Sequence, residues 1–497
     1  MTPVAEPGEL PGRLAVALRE ALRARFPGVE LGLAEPMAGG ASRATWRVAL
    51  RGGPPEHPVV VVRTNPEGAP PADLALEGRL LDSAHRAGLP VPAVLAAVPG
   101  PPAALVLTFV DGEVLPRRVL QDPVLAGART VLAGQCGEAL ARLHRIPVED
   151  LPEVAARPQL AQGGAEAQLA MVRRLLDDLG QPHPALELGW RWLADHPPPA
   201  GPLVLVHGDF RTGNLIVGPE GLRAVLDWEL AHLGDPLEDL GWLCTPAWRF
   251  GSPLPVGGFG SLDDLVTGYE RAGGRPVDPG ALAWWIAFGS LRWGALSTLQ
   301  AMAHVRGARR SLELAAIGRR VCETEADLLD ALDQLAPLEG PGSEDGADPV
   351  ATVDDAAGIE PAGARAGETG GWLPHDLPRA ADLLETVAEH LEEDLADQVT
   401  GRQRFLVRVA ANVVRVVARE VRLGPGQEAE HRARLAALGV ADDAELALAL
   451  RDGRLGAQDP RVRRAVRAAV AAKLAVANPR RLQAAGSRAP GSAERQG

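Results

Sequence analysis

Residues 203–230 read LVLVHGDFRTGNLIVGPEGLRAVLDWEL, and this run limits the architecture more than any other part of the chain. Three apolar stretches too short for helices are separated by a polar loop and by a tight turn at Gly218-Pro219-Glu220-Gly221. That pattern predicts a strand, a loop and a β-hairpin. The hairpin folds Asp227 back beside Asn214, while Asp209 sits in the loop after the first strand. One amide and two carboxylates are thereby expected at one end of a short sheet.

Those side chains match the needs of phosphoryl transfer. The reaction asks the protein for little covalent chemistry and for much positioned charge: a carboxylate near the attacking hydroxyl, oxygen ligands for Mg²⁺, and cations on the transferring phosphate. Asp209, Asn214 with Asp227, and Arg211 offer one of each. The spacing D-x-x-x-x-N, then a hairpin and a second Asp, is that of a protein-kinase catalytic loop with a shortened signature. Taken singly, each acid could equally cap a turn. A competing chemistry is a hydrolytic metal site built from His207, Asp209 and Asp227, but such a site usually draws further His or Asp ligands from nearby loops.

The segment LVHGDFRTGNLIV, followed by AVLDWELAHLGDPLEDLGWLC, resembles the aminoglycoside phosphotransferase and choline kinase family. It is similar above all to the subgroup that includes kinase domains fused to acyl-CoA dehydrogenases. The likeness extends over roughly residues 30–335. It implies an α+β, bilobal protein-kinase-like fold with a small β-rich lobe and a large helical lobe. It further implies an ATP- and Mg²⁺-dependent transfer to the hydroxyl of a small molecule. Under that resemblance Asp209 is the catalytic base, and Asn214 and Asp227 hold Mg²⁺. Arg211 neutralises the γ-phosphoryl group, and Glu229 shapes a second metal site or the loop. His207 braces the loop, Asp239 anchors it from below, and Asp235-Pro236 turns the chain toward that anchor.

Kinases also place a cation on a small-lobe strand, paired with a helix glutamate. Arg63, which ends PVVVVR, and Glu77 in DLALEGRLL are the expected pair; a surface Arg–Glu contact is the plainer alternative. Arginine keeps its charge and binds phosphate through two donors. Gly39, Gly40 and Ser42 are the expected phosphate loop, although a Gly-Gly turn alone is more often a simple hairpin. Thr108 to Val110 is the expected hinge whose backbone meets adenine. Lys473 is the only lysine in the chain, so the lysine-dependent Walker A loop is excluded.

The rest of the sequence bounds class and organisation. A formal charge of −13 and a pI near 5.4 argue against a nucleic-acid partner. No segment approaches 18 uninterrupted apolar residues, so no membrane span is expected. Three cysteines without metal-ligand spacing suit buried thiols in a reducing cytoplasm. The expected organisation is a small lobe over residues 1–112, a large lobe over 113–335, a linker over 336–372, a helical domain over 373–480 and a disordered tail over 481–497. Trp284, Trp285 and Trp293 read first as core and second as a substrate wall. Tyr269, the single tyrosine, suggests no role. The helical region resembles an uncharacterised domain appended to such phosphotransferases; packing against the kinase part, homodimerisation and partner docking stay open for it. The functional alternative is a nucleotide-binding pseudokinase or scaffold that acts through this region.

Overall fold

The computed structural model describes residues 10–37, 44–53, 55–65, 73–156, 163–337 and 379–486. The chain divides into two units: Met1–Met171 with Pro197–Gly289, and Val172–His196 with Ser290–Gly497.

The first unit begins with an antiparallel sheet of β1 (Glu30–Pro36), β2 (Ala44–Arg51), β3 (Val59–Thr64), β4 (Val94–Val98) and β5 (Ala104–Thr108), in the order β1-β2-β3-β5-β4. Helix Gly12–Arg25 turns Leu14, Leu18 and Leu22, one turn apart, onto Val48, Val60, Val62 and Val106 of the sheet. Side chains alternate along a strand, so Val60 and Val62 facing that helix send Val61 and Arg63 to the opposite face. Helix Leu74–Arg86, capped by Asp73 at the Leu76 N–H (2.9 Å), covers that face. Its Leu76, Leu80 and Leu81 share a core with Leu105 and Leu107 of β5. Strand parity and helix placement together bring Arg63 to Glu77.

The remainder of this unit is mostly helical. Helix Ala126–Leu143 packs against helix Leu262–Arg271. Two small antiparallel ladders follow: β6 (Val204–Val206) with β9 (His232–Gly234), and the hairpin β7 (Leu215–Gly218) with β8 (Gly221–Val225). The expected α+β kinase-like class is therefore present. Trp284 and Trp285 are buried and pack with Phe288 (centroids 5.6 and 5.3 Å), which favours core packing over a pocket wall for both. Between residues 245 and 261 the helices are interrupted: a short turn, Pro246–Arg249, ends at Phe250 in the left-handed region (φ 49). Pro253, Pro255 and the Gly257-Gly258 pair cannot sustain a helix there.

The second unit is all-helical where described. Helix Val321–Leu335 carries a row of acids that meets basic residues of Pro460–Ala477 and Pro479–Gly486. Arg463 reaches Asp333 (3.2 Å), Arg467 reaches Asp330 (2.8 Å) and Asp333, and Arg481 pairs with Asp327. The Arg467 pairs are exposed on both sides, and exposed pairs contribute little individually. Glu325 differs, because its side chain is 1% exposed and meets both Lys473 (3.2 Å) and His183 Nδ1 (3.1 Å). The predicted linker, residues 336–372, lies outside the described residues except for 336 and 337. The expected tail needs one correction: residues up to Gly486 continue helix Pro479–Gly486, with Arg481 tied to Asp327.

Burial pushes the Glu325 carboxyl up, but Lys473 and the hydrogen bond from His183 outweigh it and hold the group at about 2, against 4.5 unperturbed. A depressed folded-state value stabilises above the unfolded value and loses that contribution as pH falls. Glu325→Gln is expected to cost on the order of 2–3 kcal/mol at pH 7. In chemical denaturation at a series of pH values, the gap from wild type should narrow between about pH 4.5 and 2.

Candidate active site

The loop between β6 and β7 is fixed from beneath by one carboxylate. Helix Pro236–Cys244 starts at Asp235, whose side chain caps the Leu237 N–H (2.8 Å), with Pro236 in the first turn. One turn on, fully buried Asp239 accepts the His207 N–H at 2.7 Å and the Gly208 N–H at 2.9 Å. Gly208 has φ +77, and a Cβ there would lie 2.5 Å from the Leu230 carbonyl oxygen; only glycine fits. His144 Nε2 also meets Asp239 (3.2 Å), and its Nδ1 meets the Tyr269 hydroxyl (3.0 Å). Burial raises the Asp239 carboxyl, but His144 and His207 bring it below its ordinary value. Burial pushes the Tyr269 phenol upward.

His207 is a brace rather than a ligand. Its ring is buried, and both nitrogens are spent on backbone: Nε2 donates to Leu226 O at 3.0 Å, and Nδ1 accepts from the Asp209 N–H at 3.2 Å. Burial holds this imidazole below its ordinary value, which keeps the neutral form those two bonds require. With no nitrogen left, a hydrolytic metal site built on His207 is unsupported. Among the described residues no three His, Cys, Asp or Glu side chains cluster as a metal cage.

Above this base the predicted residues converge. Asp209 accepts three side-chain hydrogen bonds. Arg211 Nε (2.9 Å) and Trp242 Nε1 (2.8 Å) go to Oδ1, and Asn214 Nδ2 (2.7 Å) goes to Oδ2. Asn214 Nδ2 also donates to Asp209 O (2.9 Å), so both its neighbours are acceptors, the amide nitrogen must face them, and Oδ1 is turned away. The Leu226 N–H donates to Asn214 O (2.8 Å), which sets Asp227 beside the amide at the end of the hairpin. Asp227 adopts φ 69 and ψ 66, a left-handed conformation that costs energy outside glycine and collects at functional positions. Arg63 closes the group, pairing with Glu77 and with Asp227 Oδ1 (3.1 Å). With the Arg63 side chain 14% exposed and that of Glu77 2%, this is not the surface contact that was the plainer reading.

Other predicted residues fall less simply. Arg211 lies 4.6 Å over the Trp248 ring, and its Nη1 reaches Thr212 O (3.3 Å), so in this structure it clamps the loop. Glu229 is half-buried on the short turn Trp228–Leu230 after Asp227. The Thr108 N–H is already bonded to Ala93 O (2.9 Å), and its hydroxyl accepts from the Ala93 N–H (2.9 Å). That donor is unavailable to adenine, and the chain leaves the sheet only at Phe109 and half-buried Val110. Gly39, Gly40 and Ser42 lie outside the described residues. Sequence reasoning missed His144, Tyr269 and Trp242; only the Trp242 position, three residues after Asp239 and so on the same helix face, gave a usable signal.

A sheet of five antiparallel strands, a helix that pairs a glutamate with a strand cation, and this loop over a largely helical region define a kinase-like phosphotransferase fold. A family model described as Phosphotransferase enzyme family matches residues 34–285, half of the chain; the protein belongs to that family. A second model, Domain of unknown function (DUF6285), matches residues 397–481. Acyl-CoA dehydrogenase family member 10 of Mus musculus is 31% identical over 217 residues, 40% of this chain and 19% of that protein. Acyl-CoA dehydrogenase family member 11 of Homo sapiens is 30% identical over 182 residues, 34% of this chain and 23% of that protein. The match thus spans about a fifth of each relative's length. A solved protein from Ralstonia eutropha JMP134, provisionally assigned as an aminoglycoside phosphotransferase, superposes with TM-score 0.53 at 22% identity. It covers 65% of this chain and 98% of its own, and at that identity the likeness speaks to the fold.

Removing the Asp239 carboxylate strands two buried backbone donors. Asp239→Ala is expected to destabilise the protein by on the order of 3 kcal/mol, read as a lowered denaturant midpoint. A change under about 0.5 kcal/mol, the size typical of a surface substitution, would contradict the anchoring role.

Proposed function

We propose that this protein transfers the γ-phosphate of ATP to a hydroxyl of a small molecule. The observation that carries the reading is the grouping of Asp209, Asn214, Asp227 and Arg63 from three separate parts of the chain: Asn214 bonds Asp209, Arg63 bonds Asp227, and the Leu226 N–H ties Asp227's end of the hairpin to Asn214 O. Family membership supports phosphotransfer at the coarse level.

Asp209 orients the acceptor hydroxyl and takes its proton. Arg63, steered by Glu77, meets the α- and β-phosphates, while Arg211 holds the Asp209 carboxylate and lies beside the transferring group. Asn214 and Asp227 suit Mg²⁺, which binds through few protein oxygens and completes its shell with phosphates and water. The Asn214 amide presents oxygen once its nitrogen is bound to Asp209, and Asp227 adds a carboxylate at the hairpin end. A magnesium ion there would neutralise charge on the phosphates during transfer. Neither side chain needs to move the proton. Glycines 39 and 40 with Ser42 would cover the phosphates, and the backbone at Val110 would meet the base.

Loss of a positioned general base typically costs 10²–10⁴ in rate. Asp209→Asn should therefore lower kcat by roughly 100-fold or more while leaving MgADP binding by calorimetry intact. The assay is ADP release across a panel of aminoglycosides, macrolides, choline, sugars and hydroxyacyl thioesters, which also identifies the acceptor. Equal turnover by wild type and Asp209→Asn, or no turnover with any acceptor alongside tight MgATP binding, would favour a scaffold.

A further inference from the structure

The reading of Asp209 as the base leaves open which of its two oxygens receives the proton. We propose that Trp242 is a positioning residue: its indole N–H, together with Arg211, saturates Asp209 Oδ1, so that Oδ2 alone is left to take the acceptor's proton. The proposal rests on the phosphotransferase reading above.

A carboxylate oxygen has about two lone-pair sites. On Oδ1 both are used, by Arg211 Nε at 2.9 Å and Trp242 Nε1 at 2.8 Å. Among the described residues Oδ2 accepts one, from Asn214 Nδ2 at 2.7 Å. The acceptor hydroxyl therefore approaches Oδ2. As its oxygen bonds to the γ-phosphorus, the bond from that phosphorus to the β,γ-bridging oxygen breaks with its electron pair leaving on ADP. The hydroxyl proton passes to Oδ2 and then to water.

The same helix sets both halves of the loop. Asp239 and Trp242 lie three residues apart on helix Pro236–Cys244, hence on one face. Asp239 fixes the backbone at His207 and Gly208, and Trp242 fixes the side chain of Asp209. Trp242 is itself held: it is buried and packs edge-on against Trp248 (centroids 5.2 Å), the ring over which Arg211 lies. Both donors to Oδ1 thus share one aromatic support. A carboxylate restrained from three directions loses little freedom on reaching the reactive geometry, which is how preorganisation raises a rate.

Trp242→Phe removes the N–H and keeps an aromatic ring against Trp248. With MgATP and water as the phosphoryl acceptor, kcat is expected to fall roughly 10-fold, the size of one hydrogen bond to a charged group. KM for ATP and MgADP affinity by calorimetry should stay within about twofold, because the bond acts through Asp209 and not on the nucleotide. A second readout needs no turnover. In a ¹⁵N-indole spectrum of the full chain, the signal lost in Trp242→Phe identifies Trp242, and in Asp209→Asn that signal should move upfield as its charged acceptor is removed. Unchanged kcat in Trp242→Phe, a rate loss matched by weakened MgADP binding, or an indole signal indifferent to Asp209→Asn would overturn the proposal. Wild-type turnover by Asp209→Asn is a separate result, since it would remove the base and leave the hydrogen bond standing.

Discussion

A single buried carboxylate, Asp239, holds the loop between β6 and β7 in place. Two consecutive backbone N–H groups end on it, and His144 Nε2 meets Oδ2, the oxygen that accepts the His207 N–H. Buried backbone donors are costly without partners, so the path of the chain through His207 and Gly208 is determined before any ligand is considered. His207 then passes that order on, donating to Leu226 on the hairpin and accepting from Asp209. The loop, the hairpin and helix Pro236–Cys244 thus form one hydrogen-bonded body.

Charge is arranged on that body rather than built into it. Arg63 comes from a strand whose alternation is dictated by Val60 and Val62 facing helix Gly12–Arg25. Its pairing with Glu77 and Asp227 follows from where the hydrophobic packing leaves it. The left-handed conformation of Asp227 is the local strain this assembly carries, and it sits where a carboxylate must turn out of the hairpin. In the second unit charge has a different use: the acids of helix Val321–Leu335 are matched by Arg463, Arg467, Lys473 and Arg481, with buried Glu325 facing half-exposed Lys473 and buried Arg463 facing exposed Asp333.

What the sequence made legible is what lies close along the chain. Asp209, Asn214 and Asp227 are separated by a loop and a two-residue turn, so their convergence follows from local rules. Arg63 and Glu77 were reachable through strand parity and the next helix. Contacts across long separations were not: His144 and Tyr269 meet Asp239 and each other through tertiary packing, and a lone tyrosine or a histidine at a helix end carries no pattern. Which backbone donors of the Thr108 to Val110 hinge stay open was not legible, because the pairing of the Thr108 N–H with Ala93 depends on strand register, which local apolar runs do not specify.

In the proposed function Asn214 and Asp227 hold a divalent cation against a nucleotide's phosphates. Electron paramagnetic resonance of Mn²⁺ bound with a non-hydrolysable ATP analogue tests this directly, through phosphorus couplings to the metal. Wild type should show those couplings, and Asp227→Asn should weaken Mn²⁺ binding by at least tenfold, the scale of a lost charged ligand. Mn²⁺ bound without phosphorus coupling, or bound equally well by the variant, would contradict the account.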